Sequence, residues 1–270
     1  MMIDFYFKKL KCLDLSFSNL KGDIDFANLE FCSILKINNN NLRSINLNDN
    51  LVYLDCSFNN LKRINCTKNL VECICKNNLI TKIECNDKLI DLNCSYNKIS
   101  EIKVNKRLRY LKCNHNYINQ LEINSNIRIL ECEYNYIQSL NLNNNLRILK
   151  CSYNLIQELF LTANILFCYC SFNKIKSLKL NSNIKILICD NNIIYHLNLS
   201  NSLKILDVSN NFISEIFLYK KLDYLKIDSD VKINSTKNLR GLIKNEVFKD
   251  SLVYNFLLYF LKDIVSYPVF

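Results

Sequence analysis

Cysteine and histidine are the residues most able to do chemistry in this chain, and it carries fourteen of the first and two of the second. Thiolates can hold zinc, form disulfides or act as nucleophiles. The densest patch is Cys56, Cys66, Cys73, Cys75, Cys85 and Cys94. Zinc sites built on thiolates use local Cys pairs two to four residues apart on turns. The Cys73-x-Cys75 pair is one residue too tight for that, so no metal site is expected. His115 and His196 have no Ser or Cys nucleophile beside them with a third group to orient the pair. Phosphate-loop, zinc-peptidase and nucleophile-elbow motifs do not occur. The carboxylates form no repeated pair that would drive two pKa values apart. The sequence therefore implies no catalytic residue, no cofactor and no enzyme.

The cysteines make sense once the elements that must position them are found. Leu108 to Asn126 is repeated almost place for place by Ile127 to Asn145 and again by Leu146 to Asn164. Units begin at Leu10, Cys32, Leu51, Leu70, Leu89, Leu108, Ile127, Leu146, Ile165, Ile184, Leu203 and Leu222; the first step is 22 residues and each later one 19. Within a unit, apolar residues or Cys fill places 1, 4, 6, 11, 14 and 16, and Asn fills place 9. Cys56, Cys75, Cys94, Cys113, Cys132, Cys151, Cys170 and Cys189 all take place 6, where Leu15, Ile37, Val208 and Ile227 stand in other units. Cysteine that exchanges with aliphatics is a small buried hydrophobe. Cys73 and Cys168 at place 4, and Cys66 and Cys85 at place 16, are also read as interior; Cys12, at place 3, is the thiol expected on the open face. Side chains on parallel neighbouring strands do not turn toward each other as a disulfide needs. A column of reduced thiols suits a reducing compartment.

The first eleven places read L-x-x-L-x-C-x-x-N-x-I, which resembles the leucine-rich repeat, over about residues 10–230. The departure is the unit length, just below the usual range of about 20–29 residues. The resemblance implies a β-rich, right-handed solenoid with a parallel concave sheet, and a binding scaffold rather than an enzyme. Places 4 and 6 point the same way, as alternating strand residues do. Only eight residues remain after place 11, too few for a full helix and two turns. An extended or short 3₁₀ convex side is therefore expected. Ten to twelve coils at about 4.8 Å make a rod roughly 50–60 Å long. Stacked place-9 asparagines are expected to satisfy buried backbone groups as the chain leaves the strand. Asn50, Asn69, Asn126, Asn145, Asn164 and Asn183 form a second, patchier row at place 19.

Outside the repeats, residues 1–9 carry Ile3, Phe5 and Phe7 in alternation and read as an N-terminal cap strand. Residues 231–270 read as a C-terminal cap with a helix over about 250–265, whose Leu252, Val253, Phe256, Leu257, Phe260, Leu261 and Ile264 follow helical spacing. Leu258 and Tyr259 broaden that apolar face, so docking elsewhere is the alternative. The chain has only 2 Gly and 1 Pro. No segment reaches the roughly 18 apolar residues of a membrane span, and no signal peptide opens the chain, so an intracellular, cytoplasmic protein is expected.

Function is sought on the open face. Place 3 should be polar if it were merely solvated, yet Tyr110, Ile129, Ile148, Phe167, Ile186, Ile205 and Tyr224 form an apolar stripe, with Tyr53 further back and Tyr169 and Ile188 added from place 5. Such a stripe marks an interaction surface, and these ten residues are the candidate partner-binding site. The expected partner is a protein, with self-association through the stripe as one version. Place 8 repeats aromatics at Phe17, Phe58, Tyr96, Tyr134, Tyr153 and Phe172, read first as a stack along the sheet edge. Arg109, Arg128, Arg147, Lys185 and Lys204 at place 2 draw a basic margin, in a chain of net charge +10. That margin is the basis of the alternative function, binding a nucleic acid or other polyanion. Glu131, Asp190 and Asp207 interrupt it, and no nucleic-acid motif is present, so nucleic acid ranks second.

Overall fold

A computed structural model describes residues 10–235. The expected N-terminal cap strand at 1–9 and the expected helix at 250–265 lie outside the described residues.

Twelve short strands, from Cys12–Asp14 to Tyr224–Lys226, form one parallel sheet in strict chain order. Each strand covers places 3 to 5 of its unit and pairs in constant register with the next: Tyr110 with Ile129, Ile129 with Ile148, Ile148 with Phe167. One turn of the coil therefore consumes one repeat, 22 residues for the first and 19 thereafter. Because the period of a strand is two, place 4 points inward while places 3 and 5 point outward. The inward columns are fully shielded: Leu92, Leu111, Leu130 and Leu149 at place 4 are 0% exposed, as are the thiol-bearing residues of place 6. Places 1, 11 and 14 close the core from the other walls, as with Leu108, Ile118 and Leu121.

The convex side is extended. Four two-stranded parallel ladders lie there, including Lys82–Glu84 with Glu101–Lys103 and Glu158–Phe160 with Ser177–Lys179. Among the described residues there is no α- or 3₁₀-helix, so the extended form of the convex side is the one adopted. The sequence repeat stops at Asp230, but backbone pairing continues to Ser235. There Lys232–Ser235 pairs with Glu215–Leu218 at a spacing of 17 residues, shorter than the 19 of the regular coils.

All fourteen cysteines are free thiols. Cys12 is exposed as expected, and the eight at place 6 are buried. Cys66 and Cys85 depart from the interior reading, since both are only partly buried. They sit at place 16, at the convex corner, where the chain turns between coils. Burial pushes the place-6 thiols Cys56, Cys94, Cys113 and Cys132 up, because a thiolate in an apolar core loses its hydration, whereas hydrogen bonds with Cys168 and Cys189 hold Cys170 down. The column packs within the solenoid core as a row of small hydrophobes.

The coil corners, the edge stack and the concave stripe

The place-9 asparagines close the corner where the chain leaves the sheet. Asn116 shows the pattern. Its Nδ2 donates to the carbonyls of Cys113 and Cys94, each at 3.1 Å, one in its own coil and one in the coil before. Its Oδ1 accepts from the amide of Ile99 at 2.9 Å. The same three bonds recur at Asn59, Asn78, Asn97, Asn135, Asn154 and Asn192. An amide offers two N–H donors and a carbonyl acceptor in one short side chain, which is the set that these three bonds use. The place-19 row also forms: Asn69, Asn126, Asn145 and Asn183 each donate to a carbonyl of the previous coil at 2.8 Å.

A third row was not anticipated. Asn86, Asn105, Asn124 and Asn181, at place 17, donate to the coil before, and Asn105 accepts from the amides of Arg107 and Leu108 at 2.7 Å. Its signal was in the sequence, as Asn recurring at a fixed place. It was hidden because Thr67, Thr162 and Ser200 substitute there.

Place 8 sits in the left-handed region in every coil from the first to the eleventh, with φ between 52° and 57° at Phe17, Asn39, Phe58, Asn77, Tyr96, His115, Tyr134, Tyr153, Phe172, Asn191 and Asn210. For a residue with a side chain this conformation costs about 1–2 kcal/mol. Asparagine tolerates it through local hydrogen bonding. The aromatics offset it by stacking: Tyr96, His115, Tyr134, Tyr153 and Phe172 form a continuous column with ring centroids 4.1–4.3 Å apart and planes within 13°. The expected edge stack is thus present, and His115 is one of its rungs.

Burial between two tyrosines lowers the pKa of His115 from its ordinary value of 6.5. The folded chain then binds fewer protons at this ring than the unfolded chain does. Its contribution to stability is whole above about pH 6.5 and declines as pH falls through the lowered folded value. A proton NMR titration of the His115 ring is expected to give a midpoint below 6.5. A midpoint above 6.5 would mean that the tyrosine faces hold the cation and that burial is not the larger effect.

The stripe is assembled as the register required, but it is not open. Ile129, Ile148, Phe167, Ile186 and Ile205 are 7%, 2%, 1%, 0% and 5% exposed. They form a hydrophobic cluster separate from the solenoid core, with Tyr110, Leu166, Tyr169, Ile188 and Tyr224 half-buried around it. The expectation of an exposed patch is corrected by this packing. Side chains on adjacent rungs press flank to flank, and residues of places 2 and 5 wall them in. Tyr53 lies apart from the cluster, half-buried beside Glu72. Burial, then Asp55, Glu72 and Asp91, push the Tyr53 hydroxyl up to about 12. Burial and the neighbouring Asp91 and Asp55 raise Glu72. The apolar stripe therefore ends at an acidic boundary. Of the basic margin, Arg109, Arg128 and Arg147 are exposed, while Lys185 and Lys204 are half-buried. Among the described residues no group of His, Cys, Asp and Glu could hold a metal ion, and no helix is long and apolar enough to cross a membrane.

An unbroken amide row at the corner of a one-repeat-per-turn parallel coil is the arrangement that decides the architecture. The chain has the leucine-rich-repeat fold. Among solved structures, a functional domain of InlJ from Listeria monocytogenes, described as including a cysteine ladder, is similar at 27% identity and a TM-score of 0.76. The match covers 84% of this chain and 55% of that one. YopM from Yersinia pestis, a leucine-rich effector protein, is similar in fold at 22% identity and a TM-score of 0.69, covering 78% of this chain and 68% of YopM. The APL1 leucine-rich repeat domain is similar in fold at 17% identity and a TM-score of 0.63, covering 85% of each chain. This leucine-rich-repeat chain thus spans little more than half of the InlJ domain it resembles. No protein-family model matches the sequence, and no curated protein matches it.

Proposed function

We propose that this chain is a non-catalytic scaffold that binds a protein partner on its concave sheet. The observation that supports this is the second hydrophobic cluster, Ile129, Ile148, Phe167, Ile186 and Ile205, on the sheet face turned away from the core. A solvated face of a parallel solenoid has no folding reason to be apolar over five consecutive rungs, and the half-buried Tyr110, Tyr169, Ile188 and Tyr224 around the cluster are the apolar area left for a partner to touch. Exposed Arg109, Arg128 and Arg147 beside the cluster favour a partner with acidic groups at its rim. Fourteen free thiols fit a reducing, intracellular setting.

The test uses half-buried residues, because charges at Ile148 or Ile186 would disturb folding as well as binding. The full chain and an Ile188→Asp, Tyr169→Asp variant serve as baits, captured proteins are identified by mass spectrometry, and circular dichroism confirms equal folding. Loss of the captured partners from the variant is the expected result. An identical set of captured proteins from both baits would remove the concave sheet as the binding surface.

A further inference from the structure

The outward places of the sheet carry a pattern that complements itself. Coils are counted from the unit at Leu10. A two-fold axis along the strand direction, set between coils 5 and 6, reverses the rod and lays one sheet face on the other. Coil 2 then faces coil 9, coil 3 faces coil 8, coil 4 faces coil 7 and coil 5 faces coil 6, with each place over the same place. A contact of this kind needs unlike charges at mirrored positions. At place 7, Lys76 of coil 4 falls on Glu133 of coil 7. At place 5, Asp55 of coil 3 falls on Lys150 of coil 8. At places 2 and 3, Arg128 of coil 7 falls beside Glu72 of coil 4. Apolar residues match too: Ile34, 37% exposed, falls on Phe167, and Tyr53 falls on Ile148. Across these eight coils, the outward places 2, 3, 5 and 7 never set like charges opposite each other.

Within one chain the charges of coils 4 and 7 do not meet, because three coil steps separate them by about 14 Å. Among the described residues, Arg128, Glu72, Lys76 and Glu133 form no ion pair. Burial raises both Glu72 and Glu133, so each gains from a cation brought to it. The shape also allows the contact. The convex wall is itself β-paired, as between Lys82–Glu84 and Glu101–Lys103, so both walls advance about 4.8 Å per coil and the sheet face runs nearly flat.

We propose that a second copy of this chain docks on the sheet, antiparallel about that axis. The proposal rests on the reading of this face as a protein-docking surface and names the partner. Eight rungs by six places cover about 34 Å by 17 Å, or roughly 600 Å² per copy. The total of about 1,200 Å² lies at the lower end of specific interfaces and fits a dimer of micromolar strength. Coils 10 to 12, with Ile188 and Tyr224, overhang the pair and stay available to another protein.

Sedimentation equilibrium of the full chain tests this. The mass is expected to double from 31.8 kDa between low micromolar and about 100 µM. Two variants reverse the pairs: one carries Arg128→Glu and Lys76→Glu, the other Glu72→Arg and Glu133→Lys. Each alone sets like charges on one another and is expected to weaken dimerisation by at least about tenfold. Their equimolar mixture restores every reversed pair and should dimerise as the unaltered chain does, which also shows that both variants are folded. An unaltered chain that stays single at about 100 µM, variants that dimerise undiminished, a mixture no better than its parts, or assemblies larger than two would each overturn the proposal. Sedimentation needs no other protein. A dimer with no captured partner, or captured partners on a chain that stays single, would tell this reading and the scaffold reading apart.

Discussion

Asn116→Ala is expected to lower the stability of the central coils by about 1–3 kcal/mol, a large effect for a polar substitution in this chain. The amide serves three buried backbone groups at once: the carbonyls of Cys113 and Cys94 and the N–H of Ile99. Alanine leaves the N–H of Ile99 without a partner, while the carbonyls of Cys113 and Cys94 each keep one amide donor, from Asn135 and Asn97. An unmet buried group costs about 1–3 kcal/mol. Asn116→Asp keeps the shape and separates the roles. A carboxylate can still accept from Ile99, but it cannot donate to the two carbonyls and meets them as like partial charges. It is expected to be at least as damaging as alanine. Urea unfolding followed by circular dichroism reads both. A loss below about 1 kcal/mol for alanine would mean that solvent enters the corner and that the ladder contributes little.

Leu130→Ala is the second large effect, expected at about 2–5 kcal/mol. Leu130 is 0% exposed and lies in register between Leu111 and Leu149. The cavity cannot collapse, because both neighbours are held by their own ladders. The same change at Leu225, on the last strand of the sheet and only partly buried, should cost less than half as much. In a solenoid each coil contacts only its neighbours, so a defect in an interior strand of the sheet breaks two interfaces and one in its last strand breaks one. Equal losses at the two positions would show that the coils unfold as one globule, without the independence the architecture implies.

Reading residues in columns was enough for much of this. The inward places, the thiol column, the Asn116 row and the edge stack all follow from one rule: a residue 19 places on occupies the same point of the next coil. What the columns could not show depends on contacts between columns. Ile129 and Ile186 were placed on the correct face, but periodicity tells which way a side chain points and not whether anything shields it. Cys66 and Cys85 keep an apolar place yet sit at a corner where shielding is incomplete. His115 joins the aromatic stack because place 8 is left-handed, and no pattern of apolar residues reports a sign of φ. The place-17 amides escaped because Thr162 and Ser200 blur their row. Residues 1–9 and 231–270, expected as caps, are different, because they carry no repeat to read them against.

The invariant step between rungs has a consequence for how such a gene can change. From Leu51 to Leu222 any removal or duplication of one whole unit rejoins every column with its own kind, so the amides still meet carbonyls and the thiols still meet thiols. A cut one codon short would set outward residues against the core from that point onward. Evolution can therefore lengthen or shorten this rod in whole rungs, and the breadth of the surface it presents is an easily edited trait.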